Sequence, residues 1–161
     1  MNEARDVATT KSTAPLPEFR KPSAIEALFN SALGFVVRLG IGPRYMYLLQ
    51  VRGRKTGKIY STPVNLIEVV GKPFLVAPRG RTQWVRNAES AGEISLRRGG
   101  NVRKYRLRAL NEEEKLEVLR VYLDTYKSQV QSYFPVAAGS DAAAFRPVAQ
   151  VYPVFELVPV S

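Results

Sequence analysis

The chain has 161 residues, 24 Lys and Arg against 14 Asp and Glu for a net charge of +10, and neither His nor Cys. Those two absences exclude a His- or Cys-ligated metal site, a thiolate nucleophile, a Ser-His-Asp triad and an imidazole base, so no metal site is expected. Chemistry must come from a bound cofactor or from carboxylates, Lys or Tyr, and without Cys nothing marks an oxidising compartment, so the cytoplasm is the expected location.

Residues 1–21 mix Thr, Ser, Pro and charges of both signs without apolar periodicity, which predicts a flexible tail and not a signal peptide. A single domain is expected over 22–161. Its first element is an amphipathic helix from Pro22 to Gly40, with Ser23 and Glu26 spaced as a capping box and Ile25, Leu28, Phe29, Ala32, Leu33, Val36 and Val37 on one face. That helix is too short and polar to span a bilayer. Packing on a core is its expected use, with peripheral membrane contact as the alternative.

From Tyr45 the apolar period falls to two. Tyr47, Leu49 and Val51 alternate with polar residues to Arg52, and Ile59 to Val70 reads as a long strand in which Pro63 marks an edge or a bulge. Gly71 and Lys72 turn the chain into a strand ending at Pro78. A short helix is expected around Thr82 to Ala91, followed by a hairpin of Glu93 to Arg98 and Val102 to Leu110 about a Gly-Gly-Asn turn. Asn111 and Glu114 then open a second amphipathic helix carrying Leu116, Leu119, Tyr122, Leu123, Tyr126 and Val130. A closing strand is expected from Val148 to Val160, where Val151, Pro153, Phe155 and Leu157 alternate. Six strands joined by short turns need closure to remove their edges, so the expected fold is mainly β with flanking α: a small antiparallel barrel with two to three helices.

Positive charge is concentrated in 44–108, which holds fifteen Lys and Arg against three Glu. Such a field suits an anionic partner: a phosphorylated cofactor, nucleic acid or an anionic membrane. Within it, Arg52-Gly53-Arg54-Lys55-Thr56-Gly57-Lys58 lies between two strands, where glycines allow close approach and cations meet a phosphate or carboxylate; an ordinary charged hairpin tip reads the same way. A strand follows this loop, so it is not a Walker A motif. The second constellation runs from Ala77, Pro78, Arg79 and Arg81 to Trp84, Val85, Arg86 and Asn87, a strand end entering a helix N-terminus; Trp84 walls a planar ligand there or is simply a core aromatic. Tyr122, Tyr126, Tyr133 and Phe134 line a substrate pocket or pack together. Arg97, Arg98, Arg103, Lys104, Arg106 and Arg108 carry the nucleic-acid alternative, weakened because only Tyr105 interleaves them, so no specific nucleic acid is expected.

Tyr47-Leu48-Leu49, Gly53-Arg54-Lys55-Thr56-Gly57, Ser61-Thr62-Pro63-Val64 and Trp84 with Asn87 resemble, in order and spacing, the deazaflavin-dependent nitroreductase family, also called coenzyme F-420-dependent reductases. The ending Tyr152-Pro153-Val154-Phe155-Glu156-Leu157 resembles that family's closing strand. The resemblance implies a split β-barrel of the FMN-binding type in an actinobacterial cytoplasm. It implies that Arg54 and Lys55 hold an anionic tail, and that Thr62, Pro63, Trp84 and Asn87 lie at the deazaflavin. Tyr60 stands where the family commonly has a basic residue, and the loop before Trp84 is short, with Arg79, Arg81 or Arg86 able to compensate. Late tyrosines lie over the substrate in some members, which singles out Tyr133 first and Tyr126 second for substrate positioning or proton donation. The expected function is hydride transfer from reduced coenzyme F-420 to a small electron-poor acceptor, a quinone, enone or nitro compound, by a monomer or homodimer. The alternatives are a noncatalytic module on the same barrel and an FMN-binding split-barrel protein.

Overall fold

The computed structural model describes residues 40–161. The tail expected over 1–21 and all of the expected first helix except Gly40 lie outside the described residues. Six strands, β1 Met46–Arg52, β2 Ile59–Val69, β3 Lys72–Val76, β4 Glu93–Arg98, β5 Asn101–Ala109 and β6 Val154–Pro159, form a closed antiparallel barrel in the order β1-β2-β3-β6-β5-β4. Helix α1, Gln83–Ala91, connects β3 to β4, and α2, Glu112–Val130, follows β5.

The period-two alternation is the cause of the barrel's inner core. Leu49 and Val51 of β1, Leu75 of β3, Ile94 and Leu96 of β4 and Leu157 of β6 form one buried cluster, with Tyr47, Val64, Leu66, Tyr105 and Leu107 packed against it. The alternate residues Ile67, Phe74, Val76 and Val154 point outward and form a second core beneath α2, against Leu116, Leu119, Tyr122, Leu123 and Val130. At roughly 25 cal/mol per Å² of apolar area, these two layers are the main source of stability. The start of α2 is fixed by the expected capping box: Asn111 Oδ1 accepts from Glu114 N at 2.9 Å, and Glu114 Oε2 accepts from Asn111 N at 2.9 Å.

Two expectations are corrected. The closing strand begins at Val154, not Val148, because residues 149–151 form a 3-10 turn that sinks Ala149 and Tyr152 beneath α2, and Pro153 has no N–H to extend a ladder. The second hairpin turns at Val70-Gly71, since Val69 pairs with Lys72. Both turn residues have positive φ, 51° and 73°, as a two-residue type I′ turn requires.

Val70 is a β-branched residue in a left-handed conformation, 95% exposed, with almost no packing to offset the strain. Val70→Asn is expected to raise stability by about 1 kcal/mol, since left-handed backbone costs a branched residue roughly 1–2 kcal/mol and Asn little. Urea unfolding checks this, and an unchanged or lower midpoint refutes it.

Candidate functional site

β2 has eleven residues, whereas β3 pairs only with its last four, Leu66 to Val69. Among the described residues, 59–65 therefore pair with β1 alone, and Pro63, which lacks a donor, is accommodated in that half as expected. A cleft of about 1020 Å³ opens beside this half-strand, bounded by the 53–58 loop, the end of β3, the start of α1 and the last turn of α2. That volume lies at the upper end for small-molecule sites.

The loop at one end is a built structure. Gly53 N donates to Lys58 O at 2.7 Å, Gly57 N to Gly53 O at 2.9 Å, and Arg52 Nη1 to Gly57 O at 2.9 Å. A Cβ on Gly53 would lie 2.4 Å from the Tyr60 ring, so glycine is what lets Tyr60 pack under the loop. The Tyr60 hydroxyl then meets Thr56 Oγ1 at 3.1 Å, which also accepts from Lys58 N at 3.2 Å. Tyr60, the departure from the family pattern, thus braces the loop instead of supplying charge.

Arg54, Lys55, Thr62, Pro63, Ala77, Pro78, Arg79, Trp84, Asn87 and Tyr133 all line the cleft. Four residues proposed from sequence do not. Arg81 turns away to pair with Glu89 at 2.6 Å, Val85 is fully buried with Ala77 and Phe155, and Arg86 is exposed outside the lining. Tyr126 is buried beneath the cleft, its hydroxyl donating to Leu66 O at 2.5 Å and its ring 4.9 Å from Tyr45. α2 is kinked at Tyr126, where φ is −112° and ψ 22°, and beyond the kink Gln129, Val130 and Tyr133 reach the cleft. Trp84 serves both readings: it lines the cleft and packs edge-on against Phe155 at 6.2 Å.

The sequence reading missed Asn65 and Gln129, and gave no role to Gln83, which lies inside its second constellation. Gln83 and Asn87 are four apart on α1, a spacing that puts both on one helix face. Gln129 accepts from Asn65 Nδ2 and donates to the Tyr45 hydroxyl, both at 3.0 Å, a contact no local pattern predicts.

The cleft is electrostatically one-sided. Arg54, Lys55 and Arg79 line it, and among the described residues none that lines it is acidic. The Arg79 guanidinium carbon lies 5.9 Å from the centre of the Tyr133 ring, linking the end of β3 to the turn after α2. Among the described residues, much of the β4–β5 charge has structural work. Arg98 donates to the carbonyls of Gly42, Pro43 and Met46 at 2.6–3.0 Å, Arg97 to Gly99 O, and Arg108 pairs with Glu114 and Glu156.

Residues 25–138 match the protein family described as F420H(2)-dependent quinone reductase. The chain belongs to that family. It is a reductase dependent on coenzyme F-420. A solved F420-H2 dependent reductase, FDR-A, is 22% identical over 71% of this chain and 94% of its own, with a TM-score of 0.48. A protein of unknown function from Agrobacterium tumefaciens is 18% identical with a TM-score of 0.55, over 81% of this chain; this chain spans 55% of its length. HutZ, a heme storage protein from Vibrio cholerae, is 10% identical with a TM-score of 0.52, over 73% of this chain and 83% of its own. The last two show shared fold alone. No curated protein matches the sequence. Among the described residues no helix is long and apolar enough to cross a membrane.

The residues present fit the coenzyme. Thr82 Oγ1, in the cleft wall, is buried without a hydrogen-bond partner among the described residues, a group that a polar ligand satisfies. The donors at the loop end are cationic, as an anionic tail requires.

The tyrosines around the cleft predict an alkaline limit. Burial pushes the hydroxyls of Tyr126 and Tyr152 up to about 12, with the neighbouring Tyr45 adding to the effect at Tyr126. Both donate to backbone carbonyls, Leu66 O and Tyr133 O. A folded-state value above the unfolded value of 10.0 means their stabilisation is complete below about pH 10 and is lost as the pH rises toward 12. Urea midpoints measured from pH 8 to 12 are expected to fall above about pH 10, with tyrosinate absorbance rising in the same interval; a flat profile through that interval refutes the assignment.

Proposed function

We propose that this cleft seats coenzyme F-420 with its anionic tail at Arg54 and Lys55 and its ring system along Pro63, Ala77 and Trp84, and that the acceptor is a small quinone entering beside Tyr133. The absence of any acidic residue among the described residues of the cleft lining, which include three cations, is the observation that carries this reading. When bound in its reduced form, the coenzyme supplies a hydride to the acceptor.

The chain's own residues bind, orient and shield. Arg54 and Lys55 supply charge-assisted hydrogen bonds, which are the stronger class and fix the tail's position. Trp84, held by Phe155, and the lining residues Val76 and Val130 exclude water from the cleft and lower the local dielectric. Tyr133, half-buried at the lining and spanned by Arg79, presents the hydroxyl that hydrogen-bonds a developing oxyanion or passes it a proton. Tyr122 and Tyr126 are poor donors for this purpose. Burial pushes both hydroxyls well above the usual tyrosine range, and that of Tyr126 is already engaged by Leu66.

Replacing Arg54 and Lys55 together with Ala is expected to weaken coenzyme binding by about 2–4 kcal/mol, at roughly 1.5–3 kcal/mol per charged hydrogen bond less solvent screening. Fluorescence titration checks this; unchanged affinity in a folded double variant moves the tail elsewhere. The function itself is tested by incubating the protein with coenzyme F-420 or FMN, desalting, and recording absorbance, then following oxidation of the reduced coenzyme with quinones, enones and nitroaromatics. Retention of FMN alone overturns the reading.

Tyr133→Phe is expected to slow quinone reduction several-fold without abolishing it, because water replaces the lost hydroxyl. Steady-state kinetics with a water-soluble quinone measure this, and a rate equal to the parent's removes Tyr133 from the chemistry.

A further inference from the structure

The Arg54 guanidinium is held in an unusual way for a surface arginine. Its Nη1 donates to Asn87 Oδ1 at 2.7 Å and to Gln83 Oε1 at 3.1 Å, and the Arg54 backbone N–H donates to the same Asn87 oxygen at 3.2 Å. Asn87 is 6% exposed, one of two buried polar or charged residues among those described. One buried oxygen thus ties both the loop backbone and the side chain of Arg54 to the second turn of α1. Gln83, one turn earlier, adds the second acceptor.

Both acceptors are neutral amides. A carboxylate at either position would hold a guanidinium more tightly, but would cancel its charge toward a ligand. Neutral oxygens orient the group and leave its charge available. The surroundings keep to the same rule: the first turn of α1 carries no acidic residue, its only Glu is Glu89, and that residue is paired outward with Arg81. The partial positive charge of the α1 N-terminus adds to the same field.

We infer that Asn87 is a positioning residue, and a specificity-determining one: with Gln83 it aims Arg54 into the cleft while leaving its charge uncancelled, so that the loop recognises an anion of phosphate or carboxylate type. This rests on the reading that Arg54 meets the anionic tail. Asn87 touches the loop arginine, and through it the ligand; its amide, and not its size, is the operative feature. Asp, nearly identical in shape, is therefore the diagnostic replacement.

The test combines direct binding of oxidised coenzyme F-420, read by its fluorescence, with thermal unfolding of the ligand-free protein, on Asn87→Asp, Asn87→Ala, Arg54→Ala and the two Arg54→Ala double variants. Asn87→Asp is expected to melt at or above the parent temperature, because it gains an ion pair, yet to bind the coenzyme about ten- to a hundred-fold more weakly, the range of one lost charged hydrogen bond. Its affinity should also depend less on salt. Asn87→Ala should weaken binding as well, and in the Arg54→Ala background it should alter affinity no further, whereas Asn87→Asp in that background leaves a carboxylate without its guanidinium partner and should weaken binding again. Parent-like binding by Asn87→Asp overturns the inference, as does additive loss in the double variant of Arg54→Ala with Asn87→Ala. If Arg54→Ala alone leaves affinity unchanged, the assignment of the tail to Arg54 fails instead, and the two failures are distinct.

Discussion

A mismatch in strand length is the constraint on which the site depends. A barrel whose strands matched in length would bury both edges of β2 and leave no opening. Here β3 ends its pairing with β2 after four residues, so among the described residues the first half of β2 keeps one side unpaired, and the loop before it, the chain leaving β3 and the end of α2 all converge on that gap. The cleft is a place where the sheet stops, and its walls inherit the sheet's rigidity. Pro63 is compatible with this half-strand for the same reason that a donor-bearing residue is not needed there.

Two layers of packing then supply the walls of the cleft. The inner core fixes β1, β2 and the loop between them, which delivers Arg54 and Lys55. The outer core fixes α2, whose kink at Tyr126 precedes the turn that brings Val130 and Tyr133 to the cleft beside Arg79. Tyr152 ties these together, since it is fully buried and its hydroxyl reaches the carbonyl of Tyr133 at 2.6 Å. The residue proposed to face the acceptor is thereby tied from below by the segment that leads into β6.

Elements whose burial has a regular period were legible in the sequence. Tyr47, Leu49 and Val51 alternate because one face of β1 fills the barrel, and Asn111 with Glu114 marks a helix start because orphan backbone groups there need partners. What escaped was set by long-range geometry. Val70 gives no local sign of adopting positive φ; the register of β2 against β3 imposes it. Within the site, the loop cations and the Trp84–Asn87 element were legible as a motif, but the orientation of each side chain was not. Val85 lies about 200° around the helix from Gln83 at 3.6 residues per turn, which sends it into the core, and Arg81 is turned outward by Glu89. Tyr126 shares a spacing with Tyr122 that suits either a pocket or a core, and only the kink and the Leu66 carbonyl decide it.

The strand order has a consequence for how the molecule is made. β6 sits between β3 and β5, yet of the six strands it is the last to leave the ribosome. Until it emerges, β3 and β5 present open edges, the inner core lacks Leu157, and Val85 and Trp84 lack Phe155. The cationic loop, α1 and α2 are all synthesised earlier, but the surfaces they pack on are not finished. Nascent chains therefore pass through an interval in which two unpaired β edges are exposed together, the condition that invites edge-to-edge association between neighbouring polysomal chains. Barrel closure and escape from that hazard are thus one event, timed by translation of a single six-residue segment.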